Sequence, residues 1–82
     1  MVTEKEQIQK FKELLSETKK ELDLIAKLRA EELKNAALDL QFDEIIFKNS
    51  KAGYDEAVEN QCKFWEFVTL AKEAFGDDIV PK

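Results

Sequence analysis

Only Gly53, Gly76 and Pro81 in this chain of 82 residues punctuate the backbone strongly, and two of the three lie close to its end. A fold of short strands needs turns every few residues, and this sequence has almost nowhere to put them. Ala, Leu, Glu, Lys and Gln dominate instead, and all of them favour helix. The expected class is therefore all-α, in a single domain over residues 1–76 with a short tail at 77–82.

The first helix is signalled at Thr3. Glu6 follows three residues later, which matches a capping box in which the Thr3 hydroxyl accepts from an early helical amide. Ile8, Phe11, Leu15, Thr18, Leu22 and Ile25 then recur at steps of three and four, a coiled-coil-like seam that Leu14 and Leu28 widen. Glu6 with Lys10 and Asp23 with Lys27 are spaced as favourable i,i+4 ion pairs. Past Ile25 the seam loses register at Arg29 and resumes as Leu33, Ala36, Leu40 and Phe47. A second stripe, Leu38, Phe42, Ile45 and Ile46, runs beside it. The alternation of Leu38, Leu40 and Phe42 also fits a short strand, but no turn flanks it.

Asn49 to Tyr54 reads as the turn. Gly53 suits a left-handed position closing one helix, and Asp55 suits the cap of the next, which runs to Phe75 and stops at Gly76. A helix from Glu4 to Lys51 is about 70 Å long, whereas Asp55 to Phe75 spans about 32 Å. Half of the long arm then lacks a neighbour. Either the chain breaks near 35–41, where Asn35 and Asp39 are weak helix residues, and makes a three-helix bundle, or the long helix persists in a hairpin that a second copy completes. The second arrangement is the expectation adopted.

Charge and residue inventory narrow the function. The net charge is −5 and the pI about 4.8, which disfavours direct binding to nucleic acid or anionic membranes. No apolar run approaches the length of a membrane span. The first ten residues are charged, so no secretory leader is expected, and with one cysteine the reading is a soluble, cytoplasmic protein. There is no histidine, the commonest general acid–base group. Cys62 is the only thiol and adjoins the apolar stripe, so it reads as a small core residue. Neither a structural zinc site nor a histidine-bearing di-iron pair is available. Acidic pairs such as Glu56 with Glu59, or Asp39 with Asp43 and Glu44, arise readily in a helix of this composition. No enzyme, cofactor or metal is expected. The sequence has no internal repeats and no motif that marks a family.

The aromatic cluster is the stronger clue. Phe64, Trp65 and Phe67 cannot all face one way on a helix, and Trp and Phe are favoured at buried interface anchors. The expected function is a non-enzymatic helical protein–protein interaction module, homodimeric or otherwise self-associating, with Leu33, Leu40, Phe47, Phe64, Trp65, Phe67 and Leu70 at the interface. The alternative is a small acidic inhibitor or adaptor that binds a larger protein partner, for instance by occupying a basic, nucleic-acid-binding surface. Its contacts would come from Asp39, Asp43, Glu44, Asp55, Glu56 and Glu59, set against only Lys48 and Lys51 in that stretch.

Overall fold

The computed structural model describes residues 3–81. Two antiparallel helices, α1 (Glu4–Leu38) and α2 (Glu44–Phe75), form a hairpin, followed by a short 3-10 helix at Asp77–Ile79. The molecule measures 59 × 20 × 19 Å, a rod set by the helix lengths.

The N-terminus of α1 forms as its sequence predicts. Thr3 Oγ1 accepts from the Glu6 amide at 3.2 Å, with Glu4 and Glu6 near the positive end of the helix dipole. The ion pairs differ. Asp23 pairs with Lys19 at 2.8 Å rather than with Lys27, and Glu6 with Lys10 is not among the ion pairs of the described residues.

The turn lies at Asp39–Asp43 and not at 49–54, so the two arms are nearly equal, 35 and 32 residues. Two aspartates build it. Asp39 Oδ1 accepts from the Gln41 amide at 2.9 Å as the chain leaves α1. Asp43 Oδ1 accepts from the Ile45 and Ile46 amides at 2.9 and 3.2 Å, capping α2. Asp55 is thus an interior residue of α2, and Gly53 does not close a helix; its φ is not positive. Breaking the chain at 39–43 gives each arm a neighbour over almost its whole length. That burial outweighs the roughly 1 kcal/mol that a glycine costs inside a helix.

Gly53 lies under the side chain of Arg29, with room left for a methyl group. A β-carbon placed on it would lie 3.5 Å from Arg29 Cδ, so the aliphatic stem of Arg29 packs across the bare backbone. Arg29, which interrupts the apolar seam in the sequence, is accommodated there with its guanidinium free to reach Glu32 at 3.0 Å.

The inward edge of α2 is Phe47, Ser50, Tyr54, Ala57, Gln61, Phe64, Val68 and Ala71, at unbroken steps of three and four, all buried or half-buried. The facing edge of α1 follows the predicted seam at Ile8, Phe11, Leu15 and Leu22 and shifts by one residue at the positions on either side of Leu22. Lys19, Leu22 and Ala26 face inward, while Thr18 and Ile25 are exposed; Thr18 Oγ1 donates to the Leu14 carbonyl at 2.8 Å. Two consecutive four-residue steps, Phe11 to Leu15 to Lys19, rotate the seam and restore register with α2.

The core sits at the open end of the hairpin. Leu15, Phe64, Val68, Ala71 and Ile79 form it, with Ile8, Phe11, Leu22 and Val80 against it. Ile79 is the most enclosed side chain, 1% exposed, and Pro81 is buried too. The segment expected to be a tail is therefore part of the core. Gly76 makes this possible, with φ at +91° and its amide donating to the Lys72 carbonyl at 2.8 Å, so the chain turns back over the helix ends. Lys82 of the expected tail lies outside the described residues.

Candidate interaction surface

The hairpin has two distinguishable sides, each marked by one contact between the helices. On the first side, Phe11 meets Phe67 edge-on with ring centroids 6.0 Å apart, and Phe75 at 5.7 Å. On the second, Gln61 Nε2 donates to Asp23 Oδ1 at 2.9 Å. The Lys19 ammonium donates to the same carboxylate, and these two hydrogen bonds, Lys19 the stronger, hold the Asp23 carboxyl below its ordinary range. The 3-10 helix lies on this second side, where Asp77, Asp78 and Val80 line a groove with Lys12, Ser16 and Lys20.

The seven residues expected at an interface fall into three groups. Phe64 is a core residue, and Leu33 and Phe47 are half-buried in the seam. Trp65 is 39% exposed and packs edge-on against Phe64 at 5.5 Å, lining a shallow groove with Val58, Cys62 and Thr69. Leu40, Phe67 and Leu70 are exposed, Leu40 fully so. The expected set therefore does not form one patch. Cys62 is exposed beside Trp65 and is not a core residue.

Other exposed apolar residues were hidden in the pattern. On α1 the strip Leu14, Thr18, Glu21, Ile25, Leu28, Glu32 and Asn35 keeps the helical spacing, one step round from the buried seam, and Leu14, Ile25 and Leu28 are exposed along it. Around the turn, Leu38, Leu40, Phe42, Ile45 and Ile46 are all exposed, with Phe42 stacked obliquely on Phe47 at 5.5 Å. The signal for the α1 strip was its 4-3-4-3 spacing, masked by the stronger apolar seam beside it.

Shape puts a size on this exposure. The radius of gyration is 17.4 Å, against about 12 Å for a compact domain of this length. The accessible surface is 6691 Å², where a compact monomer of 9.5 kDa exposes about 5,000 Å². The hairpin carries roughly 1,600 Å² more than a globule of its mass.

The acidic residues are mostly engaged locally. Asp39 and Asp43 accept backbone amides at the turn. Glu44 pairs with Lys48, Asp55 with Lys51 and Glu59 with Lys63. The acidic pairs do not converge: no group of three or more Cys, Asp or Glu among the described residues is placed to hold a metal ion. Among the described residues no helix is long and apolar enough to cross a membrane.

Comparison with known proteins finds no match, whether by family model, by similarity to a curated protein or by similarity to a solved structure.

Proposed function

We propose that this chain is a non-enzymatic protein–protein interaction module that self-associates through its helices. The observation that carries the reading is the surplus of about 1,600 Å² over a compact monomer. A standard interface removes about 800 Å² from each partner and a permanent one more, so the surplus is of the size a permanent dimer covers. Large exposed apolar side chains occur along both helices and at the turn, which is the composition such an interface requires.

The acidic-inhibitor reading draws less support. Three of its six residues, Glu44, Asp55 and Glu59, pair with lysines four residues away, which weakens the field that would attract a basic groove. Multi-angle light scattering of the purified chain tests the proposal. The expected mass is twice the 9.5 kDa of one chain at micromolar concentration. A mass of one chain at every concentration up to millimolar overturns it.

A further inference from the structure

We infer that the Leu14–Ile25–Leu28 side of the hairpin is covered by a second, antiparallel copy whose two-fold axis passes through Ile25 and Leu28. This rests on the self-association reading above and specifies the surface it uses.

Three exposed apolar clusters lie along this one side. At the open end are Leu14, Phe67 and Leu70, drawn together because Phe67 packs on Phe11, three residues before Leu14. In the middle are Ile25 and Leu28. At the turn end is Ile46, which lines a groove with Glu32, Asn35 and Ala36 and so continues the same α1 strip; Ile45, next to it in the chain, and Phe42 at the turn are exposed as well. With a rise of about 1.5 Å per residue, Leu14 lies about 19 Å from the middle cluster, and the Ile46 cluster begins about 14 Å away in the other direction.

That near-symmetric spacing is what a two-fold contact needs, since each patch must meet its mate across the axis. Turning one hairpin end for end about the middle cluster lays Leu14, Phe67 and Leu70 over the turn-end cluster of the other copy, and the reverse. Ile25 and Leu28 meet their own counterparts. The product is an antiparallel four-helix bundle, which needs no chain but this one. The opposite side suits the role less well. Lys19, Asp23 and Gln61 occupy it, and the 3-10 helix with Lys12, Lys20, Asp77 and Asp78 covers its open end.

Light scattering over a concentration series on the full chain and two variants is decisive. Leu28→Glu places two carboxylates at the axis and is expected to weaken association at least about 30-fold. Thr69→Glu, on the Trp65 side, is expected to change it by less than about two-fold. If the parent dimerises but Leu28→Glu associates equally well, or Thr69→Glu is the variant that dissociates, the surface is misassigned while self-association stands. If the parent is monomeric throughout, both readings fall. Should Leu28→Glu be unfolded by circular dichroism, single cysteines in a Cys62→Ala background decide. Leu28→Cys is expected to form a disulfide-linked dimer under air and Thr69→Cys is not; equal or inverted yields overturn the assignment.

Discussion

Gln61 and Asp23 are joined across the hairpin by a 2.9 Å hydrogen bond, the one side-chain hydrogen bond between α1 and α2 among the described residues. Gln61 stands in the seam of α2 where an apolar residue would pack better. A polar seam residue bonded across to the partner helix fixes register at a cost in stability. Gln61→Leu is therefore expected to raise the free energy of unfolding by about 1 kcal/mol, read from urea denaturation. An unchanged or lower midpoint would show that the polar pair stabilises more than packing does there.

The same contact sets a pH response. The Asp23 carboxyl is held down by Lys19 and then by Gln61, so the folded pKa lies below the unfolded one. The resulting stability is present above the ordinary carboxylate range and is lost as pH falls through the folded value. Asp23→Asn is expected to flatten the stability profile below about pH 4. Parallel profiles for parent and variant in that range would contradict this.

Gly53 and Gly76 should respond oppositely to alanine. Gly53 is helical and an added β-carbon meets Arg29 Cδ at ordinary contact distance, so Gly53→Ala is expected to stabilise by about 0.5–1 kcal/mol. Gly76 holds φ at +91°, and Gly76→Ala is expected to cost about 1–2 kcal/mol although nothing obstructs the methyl. Thermal melts of the two variants check the pair, and a shift of the same sign in both would contradict it.

Ile79 is the most enclosed residue of the core. Ile79→Ala is expected to cost about 2–5 kcal/mol, a large share of the total for a chain this small. If its melting temperature matches the parent, the 3-10 helix is not docked as described.

Asp43→Ala removes the acceptor for the Ile45 and Ile46 amides. The expected loss is about 1–2 kcal/mol in chemical denaturation. A negligible change would mean that solvent replaces the cap.

Helix type was legible throughout because the pattern and composition agree, and the Thr3 and Gly76 ends were legible because their caps are local chemistry. The turn was legible only as the alternative break near 35–41, which Asp39 marks. Asp39 and Asp43 are common residues whose capping role depends on where the chain reverses, whereas Gly53 gave a louder local signal although it lies inside a helix. The seam of α2 was obscured by Ser50, Tyr54 and Gln61, polar residues at inward positions. Trp65, Phe67 and Leu70 are the more conspicuous apolar residues and lie outside it. Of the candidate surface, Leu40, Phe67 and Leu70 were legible as unburied apolar residues, while Leu14, Ile25, Ile45 and Ile46 were absorbed into helical stripes whose inner face the sequence does not reveal.

The placement of the turn has a kinetic corollary. Contacts between the arms join residues close in sequence near Asp39–Asp43 and grow steadily more distant, to Phe11 with Phe75 at the far pole. Closing each successive level adds little loop entropy once the one before it is shut, so zippering from the aspartate pair outward is the least costly route. The final strap carrying Ile79 docks last on that route, and amide exchange near it should report the first opening of the folded chain.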